Sequence, residues 1–211
     1  MSDSTHSSNP GFSERGQAPY GDIPTESEAF LRWGAQLGRE HPYKYELSEG
    51  KISRMMIHVS RAHWRVANNL LAEVRLKIDG TRWEAGSADF GVRTAVGVRS
   101  PDVLVDRKLK SLEDLACEAP IFVAEVLSPS TTGIDFTEKL VEYSEIASVQ
   151  TYLICTRDEP RAWVWTRRED GTWPKKPQML EGREAAIALG GLEKEISMAA
   201  IFDGIPDAPK A

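Results

Sequence analysis

Asp102, Glu125 and Lys139 are the residue types from which a phosphoryl-transfer site is built: two carboxylates that can hold a hard divalent cation, and an ammonium that can neutralise growing negative charge. Glu125 stands in "IFVAEVLSPSTTGIDFTEKL", residues 121–140, between Ala124 and Val126. The run Ile121 to Leu127 is rich enough in β-branched and aromatic residues to predict a central strand, where an unpaired carboxylate costs several kcal/mol to desolvate. A counter-charge is therefore required. "SPDVLVD", residues 100–106, offers a second carboxylate, Asp102, just after a proline that marks the start of an apolar strand. If the two strands are neighbours, both carboxylates can point to one face and hold one Mg²⁺ or Mn²⁺, ions that take oxygen ligands and keep waters for chemistry. Lys139 follows Asp135 at i, i+4 on a helix expected over Gly133–Ile146. Folded back over the sheet, that helix would bring the ammonium to the ion, there to orient a water and to stabilise charge on a phosphodiester.

These residues need a scaffold, and the sequence predicts one. Thr25 followed by Glu28 has capping-box spacing, so a short helix is expected over Ser27–Leu37, exposing Glu28 and Arg32 and burying Phe30 and Trp33. "YKYELSEGKISRMMI" alternates around Glu49-Gly50 and predicts a hairpin. Trp64, Ala67, Leu70, Leu71, Val74 and Ile78 recur at helical spacing, giving a helix over Arg61–Ile78 that stops at Asp79-Gly80. Strands are expected in "WEAGSADFGVRT", "GVRSPDVLVDR", "IFVAEVLS", "TYLICTRD" and "RAWVWTRR". Strand, helix, strand across residues 121–158 implies a right-handed crossover with parallel pairing. The sum is an α/β domain with a mixed β-sheet flanked by helices. Residues 1–24, rich in Ser, Gly and Pro, are expected to form a disordered arm, with the domain over 25–203 and a flexible tail over 204–211.

Composition narrows the function classes. With 211 residues, 41% of them hydrophobic, the chain can bury a sizeable core. No apolar stretch reaches the length of a membrane span and no secretory signal is visible, so a cytoplasmic protein is expected. Cys117 and Cys155 make neither a disulfide framework nor a zinc pattern. A net charge of −6 argues against nonspecific coating of nucleic acid, while leaving room for a local basic groove. Arg157, Arg161, Arg167, Arg168, Lys175 and Lys176, interleaved with Trp163, Trp165 and Trp173, could form one. The plainer expectation is a solvated hairpin with its tryptophans packed inward.

"PDVLV", "VAEVLSPST" with the Asp and Lys that follow, "EYSEIASVQTYLI" and "YKYELSEGKI" together resemble the Uma-two family, restriction-type endonucleases on the PD-(D/E)XK nuclease fold. The resemblance covers roughly 26–203 and implies a restriction-endonuclease-like core, a DNA substrate, and a homodimer where both strands are cut. It implies Asp102 and Glu125 as metal ligands, with the Val126 backbone carbonyl a further one. The superfamily's acid-x-lysine pattern has Leu127 where lysine is wanted, and Lys139 matches the position to which the family's lysine has migrated. By the same resemblance Glu46 is an acid near the site and His63 matches a recurrent histidine.

Plainer roles exist for each residue. Asp102 alone fits a strand-opening turn, and Lys139 alone fits a solvated pair with Asp135. Glu46 also fits a hairpin surface, and His63 a helix cap or packing role. Asp135 is expected behind the ligands or as a salt-bridge partner. Ser128, Ser130 and Thr131 fit turn and cap bonding better than nucleophilic attack, since no His and acid accompany them. Two further functions stay open: a non-cleaving module on the nuclease fold that binds nucleic acid or protein, and a metal-dependent hydrolase of small phosphorylated molecules.

Overall fold

The computed structural model describes residues 22–37, 43–56, 58–87, 89–108, 111–128 and 132–207. The arm expected over 1–24 lies outside these apart from its last three residues, as do Ser130, Thr131 and residues 208–211 of the tail. In chain order the elements begin α1 (Ser27–Gln36), β1 (Tyr43–Ser48), β2 (Lys51–Met56), α2 (Arg61–Lys77), β3 (Trp83–Ser87) and β4 (Gly91–Thr94). Next come β5 (Gly97–Arg99), β6 (Val103–Arg107), β7 (Ala116–Cys117), β8 (Phe122–Val126), α3 (Thr132–Phe136) and α4 (Glu138–Glu145). The chain closes with β9 (Thr151–Cys155), β10 (Arg161–Thr166), β11 (Gln178–Glu181), β12 (Ala186–Leu189), β13 (Lys194–Ser197) and α5 (Met198–Ile201).

Strands fall into a five-stranded sheet, β2-β1-β5-β4-β7, a six-stranded sheet, β11-β10-β9-β8-β6-β3, and the β12-β13 pair. Both larger sheets are mixed. In the six-stranded one, β8 and β9 pair in parallel while β6 and β8 pair antiparallel. The expected crossover is therefore present, with α3 and α4 as its connection. Alternation along β8 sends Phe122, Ala124 and Val126 into a core built on Val66, Leu70 and Val74 of α2. It sends Val123 to the opposite face, among Tyr143, Tyr152 and Ile154. Glu125, two residues on, shares the face of Val123.

The Glu49-Gly50 hairpin forms with both residues at positive φ, 49° and 70°, as a tight two-residue turn requires. The close approach of β1 to β5 depends on Gly97, where a Cβ would lie 2.0 Å from the carbonyl oxygen of Leu47. No side chain fits there.

The expected α/β arrangement of mixed sheet flanked by helices is present, the strands dividing into two mixed sheets and a separate pair. Three expectations are corrected. At α1 the cap residue is Glu26 and makes no side-chain cap bond, so Thr25 and Glu28 do not form a capping box; Glu28 instead binds Arg32 and Arg93. The helix expected over Gly133–Ile146 is broken at Thr137, with φ −122° and ψ −85°, where the Thr137 hydroxyl donates to the Gly133 carbonyl at 2.7 Å. On α2 the buried stripe runs through His63, Val66, Leu70 and Val74, and Trp64, expected in the core, is 56% exposed.

Candidate active site

The pairing of β6 with β8 sets the central geometry. Val103 opposes Ala124, Leu104 opposes Val123 and Val105 opposes Phe122, so the next rung places Asp102 across from Glu125. Directly opposed residues of an antiparallel pair hold their Cβ atoms about 5 Å apart. The amide of Val126 donates to Asp102 Oδ2 at 2.7 Å, and His63 Nε2 lies 3.3 Å from the same oxygen. His63 is held in the first turn of α2, whose cap Ser60 accepts from the His63 amide at 3.2 Å. It thus acts within a capped turn while touching the carboxylate.

Lys139 completes the convergence. Its Nζ donates to Glu125 Oε1 at 2.9 Å and lies 3.1 Å from Asp135 Oδ1 and 3.6 Å from Glu46 Oε1. Glu46, on β1, is buried rather than on the hairpin surface and accepts from the Ser100 amide at 3.0 Å. Glu46, Asp135, Lys139 and Glu125 therefore form one cluster, with Asp102 and His63 beside it through the Val126 amide. A cleft of about 1040 Å³ opens onto Asp102, Glu125, Lys139 and Glu46. Ser128 accepts through its carbonyl from the Thr132 amide and hydroxyl, as a turn residue does.

Three participants were missed. Tyr143 donates to Glu125 Oε1 at 3.1 Å. Glu142 accepts from Arg99 Nε at 2.9 Å, and Arg99, 1% exposed, also contacts Glu46 at 3.3 Å and Glu138 at 3.2 Å. A signal for the helical pair existed, since Glu142 and Tyr143 follow Lys139 at i+3 and i+4 and so share its face. Arg99 carried no such signal, for a charged residue in a short strand reads as an outward-facing one.

The electrostatics follow from crowding Glu125, Asp135 and Glu46 around one ammonium, with Asp102 next to Glu125. Burial, the largest cause, pushes Glu125 up to about 8 against the opposing charge of Lys139, and Asp102, Asp135 and Glu46 push the same way as burial. Burial works against the charge of Lys139, but Glu125, Glu46 and Asp135 hold it well above the ordinary lysine range. Burial likewise opposes the charge on Asp102, yet its bond with His63, the charge of Lys44 and the Val126 amide keep it below the usual carboxylate value. For Glu46 burial is outweighed by Lys139, Lys44, the Ser100 amide and Arg99, and its pKa is lowered. The site is a buried cluster with surplus negative charge.

That surplus and the all-oxygen donor set of Asp102 and Glu125 fit a hard divalent cation. Among the described residues no group of three or more His, Cys, Asp or Glu side chains is arranged to hold a metal, so an ion here would complete its shell with main-chain oxygen and water. Two arginines of the basic stretch after β9 are committed elsewhere, for Arg161 pairs with Glu159 and Glu181 and Arg167 donates to the carbonyls of Ser144, Ile146 and Val149, while Arg157 lines the cleft. Trp165 is buried and Trp163 and Trp173 pack against the core, in line with the plainer expectation. Among the described residues no helix is long and apolar enough to cross a membrane.

Fold and site together define an α/β protein of the restriction-endonuclease-like class, its carboxylates on adjoining strands and its lysine on the crossover helix. The chain belongs to the Uma2 family, whose model, described as "Putative restriction endonuclease", matches residues 27–200. It is 27% identical over 151 residues to the uncharacterized protein slr1290 of Synechocystis sp., covering 69% of this chain and 76% of that one. Its fold is similar to the crystal structure of "a putative nuclease belonging to DUF820" from Anabaena variabilis, with a TM-score of 0.64 at 16% identity, over 82% of this chain and 97% of the other.

Proposed function

We propose that the chain is an endonuclease that hydrolyses DNA phosphodiester bonds with Mg²⁺ or Mn²⁺, its nuclease domain spanning 25–203. The observation that carries the reading is the convergence on one cleft of Lys139 bound to Glu125 and of Asp102 bound by the amide of the next residue, Val126. Asp102, Glu125 and the Val126 carbonyl would hold the ion. When bound, such an ion polarises a phosphate and acidifies a coordinated water. Lys139 then places an ammonium beside the phosphate oxygens on which charge gathers, fixed in position by Asp135 and Glu46. His63 and the Val126 amide hold the Asp102 carboxylate ionised and in place. Attack of water on phosphorus, with departure of the opposite oxygen, needs little beyond this set.

The test is cleavage of plasmid and oligonucleotide DNA with Mg²⁺ or Mn²⁺. Wild type should cut, and Glu125→Ala and Asp102→Ala should each lose at least about 10²-fold, the usual worth of a preorganised charge-stabilising group. Failure of pure wild type to cut any DNA with either ion would reject the enzyme.

A second reading takes support from the ion pair itself. Lys139 already supplies Glu125 with a cation, as a non-cleaving module on this fold would need. Calorimetric titration separates the two: heat with Mn²⁺ that vanishes in Glu125→Ala belongs to the enzyme. Two-fold pairing and a cytoplasmic location are part of the first reading. The burial of both free cysteines, Cys117 and Cys155, suits a reducing compartment, and sedimentation velocity checks the dimer.

A further inference from the structure

The nuclease reading uses the floor of the cleft and leaves its walls without a role. Trp64 is out of keeping there: it lies on α2 one residue after His63, which touches Asp102, yet it is 56% exposed and lines the cleft. Val59, 50% exposed, lines the same cleft just before the helix. Leaving this much apolar surface in water beside a reaction centre costs stability unless something covers it. Cations are interleaved with the rings. The Arg54 guanidinium lies 4.5 Å from the centroid of the Tyr43 ring, and Tyr43, Arg54, Lys44 and Arg157 all line the cleft.

We propose that this wall binds DNA with unpaired bases, one base stacking on Trp64 while Lys44, Arg54 and Arg157 take neighbouring phosphates. The inference rests on the nuclease reading for the chemistry of the floor and adds the form of the substrate. Two observations favour an unpaired strand over a duplex. Aromatic faces with scattered cations are what single-strand grooves use, because every base has a face to stack and few phosphates need neutralising. A duplex reader draws most of its affinity from a long row of phosphate contacts, which a chain of net charge −6 does not offer when, among the described residues, the walls of its cleft carry Lys44, Arg54 and Arg157 and its floor Lys139. The cleft, at about 1040 Å³, is at the upper limit of small-molecule pockets and suits a short stretch of strand rather than a lone phosphate.

The experiment is fluorescence anisotropy of a labelled oligonucleotide, single-stranded and annealed to its complement, titrated with full-length protein in Ca²⁺, which neutralises the acidic floor in place of Mg²⁺ or Mn²⁺, the oligonucleotide being checked as intact on a gel after each titration. Wild type should bind the single strand at least tenfold tighter than the duplex. Trp64→Ala should weaken single-strand binding about tenfold, the usual worth of one base stacked on an aromatic ring, and leave duplex binding unchanged. Trp64→Phe, which keeps a stacking face, should recover most of the loss. Because Trp64 is exposed, an unchanged melting temperature will accompany the alanine variant. Equal affinity for the two forms, no binding to either, or a Trp64→Ala variant that binds as wild type overturns the inference. Cleavage in Mg²⁺ is read separately: tight single-strand binding lost in Trp64→Ala without cleavage by wild type keeps the recognition surface and rejects the nuclease, and cleavage with indifference to Trp64 does the reverse.

Discussion

At the scale of single residues, Glu125 ties stability, and the metal binding proposed above, to pH. Its pKa is pushed up from 4.5 to about 8 by burial and by Asp102, Asp135 and Glu46. A raised carboxyl pKa means that the folded state holds a proton that the unfolded state has already lost. The stabilisation is therefore fully present below 4.5 and disappears as pH rises through about 8. A cation bound by Glu125 must displace that proton. The affinity for Mn²⁺ should accordingly rise by about tenfold per pH unit on approaching pH 8 and level off above it. Calorimetry across this range checks the slope through the proton released per ion, measured in two buffers of different ionisation heat. Glu125→Gln should show neither binding heat nor proton release. A pH-independent affinity would mean that Glu125 does not touch the ion.

At the scale of elements, the problem is how α4 is held against two sheets so that Lys139 meets Glu125. Arg99 on β5 does much of this by binding Glu142 and Glu138 of α4 and Glu46 of β1. Removing the guanidinium leaves Glu142 and Glu46 buried without it, and breaking a buried pair from one side costs about 3–5 kcal/mol. Arg99→Met should lower the unfolding free energy by that amount, read as a lower urea midpoint at unchanged slope. Adding Glu142→Leu should restore part of it, since the stranded charge is then gone. The sequence made some of this arrangement legible. The parallel β8–β9 unit could be read because a continuous apolar run, a helical period and a second apolar run leave one right-handed solution. Asp102 and Glu125 could be read as a pair on condition that their strands were neighbours, one carboxylate heading an apolar strand and the other interrupting one. Trp64 misled because helical spacing identifies a stripe of apolar residues without saying which edge of it faces solvent. Thr137 misled because the break depends on a hydroxyl taking a carbonyl that the helix would otherwise use. Division of the strands between sheets was hidden, for β7 spans only Ala116–Cys117 and its pairing with β4 is a contact between distant segments.

At the scale of the whole molecule, a net charge of −6 must be reconciled with the polyanionic substrate proposed above. The surface as a whole repels DNA, and the acidic floor of the cleft adds to this until a dication is bound. Attraction is left to Lys44, Arg54 and Arg157 around the cleft, together with stacking, which salt hardly screens. Each phosphate neutralised on a single strand contributes about 0.7 to the slope of log K against log salt, so these three cations predict a slope near −2. A protein that grips duplex through six or more phosphates would give about −5 or steeper. Anisotropy titrations of the single-stranded oligonucleotide over a series of NaCl concentrations measure the slope directly. A value near −2 assigns the affinity to the cleft. A slope of −5 would require a row of basic contacts on another face, and substituting Arg157, Arg54 and Lys44 would then leave it unchanged.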